Sequence, residues 1–304
     1  MNYQAVLNYI SEFIQPEFGK GKVADYIPSL ANIPPTKFGM AIHMVDGQTY
    51  KVGDAEENFS IQSISKLFVL QLVMRHMGDM VWTKVGKEPS GDPFNSLVLL
   101  EHENGIPRNP FINAGALATT DMLMSTTQDA SLLIRNYLKF ISMNPAIESD
   151  PLVAQSELET SHVNHALAHL MKSYGVIEND VEALIEVYCQ HCAISMNCVD
   201  LAAAILPLAD KGYSAVCGET ILPERNVKRL NAVMLTCGTY DSVGSFAYRV
   251  GLPAKSGVGG GIVAVVPGKM SIAVWSPQVD KFRNSYVVTA ALEQFTSLTH
   301  CSIF

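Results

Sequence analysis

The chain has 304 residues, 48% of them hydrophobic and 16% charged, with 21 basic against 29 acidic side chains and a formal net charge of −8. That much apolar material specifies a large packed core and excludes a disordered chain. The acidic balance, with no lysine or arginine run, argues against nucleic acid or an anionic membrane surface as partner and favours a small-molecule substrate.

No stretch of about 18 apolar residues is present, and Met1 to Ile10 shows no basic region followed by an apolar core. The expectation is therefore a protein that stays in the cytoplasm. Its six cysteines are expected as free thiols there. Cys189 and Cys192, with His191 between them and Cys198 beyond, have C-x-x-C spacing. They fall in a segment that reads as helix, and no second pair follows, so they read as buried small side chains rather than a metal or redox site.

Taken in order, the chain opens with a helix from Tyr3 to Ile14 and a Gly-Lys-Gly turn. Phe38 to Val45 is apolar and β-prone, Asp46-Gly47 is a hairpin turn, and Gln48 to Val52 returns as a strand. The loop Gly53 to Asn58 then delivers Phe59-Ser60-Ile61-Gln62-Ser63-Ile64-Ser65-Lys66 and an apolar helix, Leu67 to Met74. Gly86 to Asn113 is rich in proline and glycine and reads as shaped, functional loops.

From 116 to 240 consecutive helices are predicted: Leu117 to Met124, Ala130 to Met143, Pro151 to Ser173, Val181 to His191, Asn197 to Ala209 and Pro223 to Thr236. The end returns to strands. A glycine-rich approach, Gly251 to Gly261, leads into Ile262 to Val266, the turn Pro267-Gly268-Lys269 and Met270 to Trp275, and a helix from Ser285 to Thr296 closes the chain. The pattern predicts an α+β protein: one mixed antiparallel sheet built from both chain ends (about 1–66 and 241–304), with a helical subdomain (about 67–240) inserted in a single domain spanning 1–304.

Ser63 and Lys66 stand three residues apart at the front of a helix, so their heads share a face. A serine hydroxyl is a poor nucleophile until a neighbouring group takes its proton. A lysine takes that proton only when neutral, and both burial in an apolar helix and the positive end of the helix dipole push its pKa down. Ser63 is thus a candidate nucleophile and Lys66 its base.

The order Ser63-x-x-Lys66, an asparagine in a loop, then Lys255-Ser256-Gly257 beside a strand resembles the layout of the penicilloyl-serine transferases and β-lactamases, with K-S-G for the more usual K-T-G. One branch matches more closely. Lys22 to Pro28, Val85 to Gly91, Asn109 to Ala116 and Gly251 to Ile262 are similar to signature segments of the serine-dependent glutaminase family, and the likeness runs from Lys22 to about Pro277. It implies the αβα sandwich of the β-lactamase and transpeptidase class and hydrolysis of L-glutamine to L-glutamate and ammonia through an acyl-serine. It also implies no cofactor or metal, and a homo-oligomer, tetramer or dimer.

Carried over by position, the resemblance makes Ser63 the nucleophile and Lys66 the base. Asn113, Glu157, Asn164, Tyr188, Tyr240 and Val258 become substrate contacts, with Tyr26 a further one. Glu157 suits the substrate ammonium; Asn113, Asn164 and Tyr26 suit its carboxylate as neutral donors. The N–H groups of Ser63 and Val258 suit the oxyanion, and Tyr240, in preference to Tyr188, the proton for the departing ammonia. Glu157 and Asn164, seven residues apart in one expected helix, would share a face. Lys255 and Ser256 are expected to shape the pocket edge. Val163 and Ala193 depart from the family, many of whose members have arginine and serine there. A β-lactam-reactive enzyme of the same fold and a non-catalytic glutamine-binding protein are the alternatives.

Overall fold

The computed structural model describes residues 1–25, 27–90 and 96–304. Its main sheet has five strands, β1 (Gly39–Met44), β2 (Thr49–Gly53), β3 (Ala254–Ser256), β4 (Gly261–Val266) and β5 (Met270–Trp275), in the spatial order β2-β1-β5-β4-β3. All four pairings are antiparallel. The two chain ends meet in the middle, where Gly39 lies opposite Trp275 and Met44 opposite Met270.

Every residue of β4 and β5 is buried, because the sheet is covered on both faces, which is why these strands read as unbroken apolar runs. Ile262, Ala264 and Val266 pack with Leu7 and Ile10 of the N-terminal helix Tyr3–Phe13 and with Val288, Leu292 and Phe295 of the C-terminal helix Tyr286–Thr299. The alternate residues Val263 and Val265 pack on the other face with Leu67, Leu70 and Val73 of the Ser65–Met77 helix and with Leu201 and Ile205. A helical layer, the sheet and a second helical layer give the αβα sandwich.

A smaller three-stranded sheet joins Phe59–Ser60, Ile194–Met196 and Glu148–Ser149. Its strands are two or three residues long, too short to show a period. It ties the segment before Ser63 to the helical part, and Ile61 N–H extends the tie by donating to Ile194 O at 2.9 Å. On the opposite side Phe59 stacks face to face on Trp275, ring centroids 4.9 Å apart. Trp275 Nε1 donates to Gly259 O at 3.0 Å, so one indole braces both the Ser63 segment and the turn that carries Val258.

The expected helix from Pro151 to Ser173 is two helices, Pro151–Glu159 and His162–Ser173. Thr160 Oγ1 donates to Ser156 O at 2.9 Å and Ser161 Oγ to Leu158 O at 2.6 Å, and this back-bonding by hydroxyls competes with helix continuation. Glu157 and Asn164 therefore sit on separate helices. The helix expected from Leu117 starts earlier, at Asn113. Leu97–His102 and Val243–Arg249 are short helices in stretches where none was expected. Among the described residues no helix is long and apolar enough to cross a membrane.

Phe59→Ala removes the ring that stacks on Trp275 and leaves a hole beside the Ser63 segment. We expect a loss of stability of about 3–5 kcal/mol, read as a lower midpoint in urea denaturation with an unchanged slope.

Candidate active site

Ser63 occupies a 3₁₀ turn, Gln62–Ile64, that leads directly into the Ser65–Met77 helix. The preceding residue, Gln62, has φ +50°, a left-handed conformation that a side chain adopts only when its surroundings over-determine it. Ser65 Oγ donates to Gln62 O at 2.7 Å, Gln62 Nε2 donates to Ser60 Oγ at 3.0 Å, and Ser60 Oγ donates to Cys192 O at 3.0 Å. His191 Nδ1 lies 2.7 Å from Ser65 Oγ. On the other side of the ring, His191 Nε2 lies 3.2 Å from Thr120 Oγ1. Burial, with the charge of Lys66 in support, pushes His191 down to about 3, so it stays a neutral strut.

Lys66 has no exposed surface. Its Nζ donates to Phe111 O at 3.3 Å and to Asn113 Oδ1 at 2.7 Å. Burial lowers its pKa to about 8, against the opposing fields of Cys192 and Glu157. A neutral amine has two N–H groups and one lone pair; with both N–H groups committed to these acceptors, the lone pair remains for a proton. The Ser63 hydroxyl is not among the partners of Nζ.

The loop that supplies those acceptors is built by Asn109, which is 1% exposed. Its Oδ1 accepts from Phe111 N–H at 3.0 Å and Ile112 N–H at 3.1 Å, and its Nδ2 donates to Glu88 O at 3.0 Å. Asn113 then opens the Asn113–Met124 helix and acts as a hub. Its Oδ1 accepts from Lys66 and, at 3.4 Å, from the Tyr188 hydroxyl, while its Nδ2 donates to Asn164 Oδ1 at 3.0 Å.

Ser63, Asn113, Glu157, Asn164, Tyr188, Tyr240 and Val258 all line one cavity of about 180 Å³. That is smaller than the roughly 300–1,000 Å³ of sites for drug-sized ligands and suits a small metabolite. Lys66 lies behind the wall. Burial raises the Glu157 carboxyl, partly offset by a hydrogen bond from Gln62 and by Lys66. Burial also raises the Tyr188 phenol well above its usual range. Val258 lies in the turn between β3 and β4, closed by Gly257 N–H to Gly261 O at 2.9 Å and Gly260 N–H to Gly257 O at 3.0 Å.

A Cβ on Gly257 would stand 2.5 Å from Ile61 O, and one on Gly259 2.5 Å from Ser60 O. Only glycine lets this turn press against the Ser63 segment. The N–H groups of Ser63 and Val258 donate to no backbone carbonyl among the described residues.

Tyr26 lies outside the described residues. Lys255 and Ser256 are buried behind the cavity and do not line it: Lys255 Nζ donates to Gly238 O at 3.2 Å and to Ser256 O, and sits 4.8 Å from the centre of the Tyr240 ring. The six cysteines are free, and burial raises the Cys192 thiol to about 12. Gln62, Ile27, Thr160, Ser161 and Arg283 also line the cavity and were not singled out from sequence; Val163, noted as a departure from the family, and Cys192, read as a buried small side chain, line it too. Gln62 had a signal, its place beside Ser63; Arg283 had none, since the link from the far end of the chain is tertiary.

A glutaminase family model matches residues 21–304. A glutaminase of Caulobacter vibrioides is 58% identical over 298 residues, covering 98% of this chain and 97% of its own. One of Ralstonia nicotianae is 54% identical, with all of both chains covered. The fold is similar, with TM-score 0.90, 31% identity and full coverage of both chains, to a Bacillus subtilis glutaminase in covalent complex with 5-oxo-L-norleucine, formed by its reaction with 6-diazo-5-oxo-L-norleucine. The α+β architecture is that of the penicillin-binding-like class, and by these matches over its full length the chain belongs to the glutaminase family.

Proposed function

We propose that this protein hydrolyses L-glutamine to L-glutamate and ammonia by a Ser63–Lys66 dyad. The observation that carries the reading is a serine on the cavity wall, next to a fully buried lysine whose N–H groups already have acceptors. The Bacillus subtilis relative that reacts covalently with a diazo-oxo analogue of norleucine supports the same chemistry.

In this reading Ser63 Oγ attacks the side-chain amide carbon as its proton passes to Lys66 Nζ. The oxyanion is held by the N–H groups of Ser63 and Val258. Collapse expels ammonia, with Tyr240 handing on the proton beside the Lys255 amine. Water then attacks the acyl-serine as Lys66 takes its proton, and Lys66 returns that proton to Ser63 Oγ as the ester bond breaks and glutamate leaves. Glu157 binds the substrate ammonium, and Asn113, Asn164 and Tyr188 line its path.

Ser63, Val258 and Tyr240 come from the sheet part of the chain or its border, the other contacts from the helical part. This supports reading 1–304 as one catalytic unit with no cofactor. We extend the proposal to a homo-oligomer acting in the cytoplasm, a setting that suits six free thiols.

Ammonia and glutamate release from L-glutamine tests the reaction. Ser63→Ala should lower kcat by about 10⁴–10⁶-fold while glutamine still binds. Catalysis surviving in that variant excludes Ser63 as nucleophile; binding without turnover by the wild type makes this a binding protein.

The base must be neutral and Lys66 sits near 8. On acidification kcat/KM should therefore fall about tenfold per pH unit below that value, and it should level off above it. A profile flat from about pH 6 to 9 would remove Lys66 from the base role. Gly257→Ala pushes the Val258 turn off Ile61 and should cost about 10²–10³-fold in kcat with KM little changed; stopped-flow or steady-state ammonia assays separate the two constants.

A further inference from the structure

The two acceptors of the Lys66 amine differ in kind. Asn113 Oδ1 is a side-chain atom, whereas Phe111 O belongs to the backbone of the loop that enters the Asn113–Met124 helix, and a backbone carbonyl is aimed by its whole peptide unit. Each such unit is planar and, among the described residues, trans, so its C=O and the N–H of the next residue point in opposite directions. Phe111 O and Ile112 N–H are the two ends of one plane. Whatever holds Ile112 N–H therefore decides where Phe111 O faces.

The buried side chain of Asn109 holds it. Asn109 Oδ1 accepts from Ile112 N–H at 3.1 Å and from Phe111 N–H at 3.0 Å, while its Nδ2 donates to Glu88 O at 3.0 Å. Two N–H donors on one side and a carbonyl on the other leave the amide a single orientation. The Glu88 segment is itself fixed, by Gly86 N–H to Pro107 O at 2.7 Å and Glu88 N–H to Arg108 O at 2.9 Å. Downstream, Ile112 O accepts from Ala116 N–H at 3.0 Å as the helix begins. The Phe111 ring meets the second buried amine, its centre 5.7 Å from Lys255 Nζ. With the plane reversed, Ile112 N–H in place of a carbonyl would face Lys66 Nζ. A donor there binds the lone pair of a neutral amine, and that lone pair is what takes a proton from a nucleophile.

We propose that Asn109 is a positioning residue for the base: by accepting from Ile112 N–H it turns the Phe111–Ile112 peptide so that the carbonyl faces Lys66 Nζ and the lone pair of the amine stays free. The inference rests on the role of Lys66 proposed above. A peptide whose N–H is hydrogen-bonded is polarised, which makes its C=O a stronger acceptor, and an acceptor favours the charged amine over the neutral one. Asn109 therefore also holds the base up against the burial that lowers its pKa. The other groups that face this amine, Glu157, Tyr188, His191, Cys192 and Lys255, lie on other segments and are common to the wild type and the variants below.

The pH profile of kcat/KM tests it on the wild type, Asn109→Ala and Asn109→Asp, because a loss of packing alone lowers activity without moving the acid limb. Asn109→Ala releases the peptide. The midpoint of the limb, near 8 in the wild type, should fall by about one pH unit, the worth of one hydrogen bond to a charged group, and kcat on the plateau should drop about 10- to 100-fold. Asn109→Asp keeps an accepting oxygen, so kcat should recover to within about tenfold of the wild type, while its negative charge moves the midpoint up instead of down. Midpoints equal to that of the wild type in both variants overturn the proposal, whatever the loss in kcat. If the alanine variant does not fold, Asn109→Ser, which keeps a polar atom in the buried site but cannot reach both the N–H groups and Glu88 O, takes its place with the same downward shift expected. Should the wild type release no ammonia, the reaction assigned to Ser63 and Lys66 fails. The Cε NMR signal of Lys66 in isotopically labelled protein, assigned by its absence from Lys66→Met, then still decides Asn109: a lower titration midpoint in Asn109→Ala upholds the positioning role, and an equal midpoint rejects it.

Discussion

The hydrogen bonds from Lys66 Nζ to Phe111 O and Asn113 Oδ1 are the constraint around which the cavity is arranged. An ammonium removed from water is costly unless it is paired, and here Nζ meets one neutral carbonyl and one neutral amide oxygen. The cheaper state is the uncharged amine, and burial accordingly lowers its pKa to about 8. A second lysine nearby, Lys255, is also fully buried, and its pKa is lowered well below the usual value, by burial first and then by Lys66. Two amines in one low-dielectric region discourage each other's charge.

The rest of the site holds that amine against a serine whose position allows little drift. Gln62 is fixed in a left-handed conformation through Ser65, Ser60 and the neutral His191. The glycine turn at 257–260 closes onto the carbonyls of Ser60 and Ile61. Trp275 braces both pieces from below, by its stack on Phe59 and its bond to Gly259 O. Ser63 and the Val258 turn are therefore held in place by packing, and for the proposed reaction such preorganisation would be the main source of electrostatic rate enhancement.

Among the described residues charge in the cavity is sparse: one carboxylate, one guanidinium, and otherwise amides, hydroxyls, a thiol, phenols and apolar side chains. Sparse charge in a small space favours a substrate that brings one charge of each sign.

The main sheet was legible because its strands are buried on both faces or joined by Asp46-Gly47 and Pro267-Gly268, signals confined to a few adjacent residues. The Ser63–Lys66 spacing was legible for the same reason: one helical turn brings residues three apart together. The break at Thr160 and Ser161 was not, since apolar residues continue through Leu158, Val163 and Leu167 and the period hides the hydroxyl bonds that end the first helix. By itself the sequence determined the elements, the dyad's spacing and the free-thiol chemistry of the cysteines. Only the tertiary structure decided that Asn113, 47 positions beyond Lys66, accepts from its amine, and that Arg283 reaches the same cavity as Glu157. Such contacts depend on the packing of distant segments, which no local periodicity encodes.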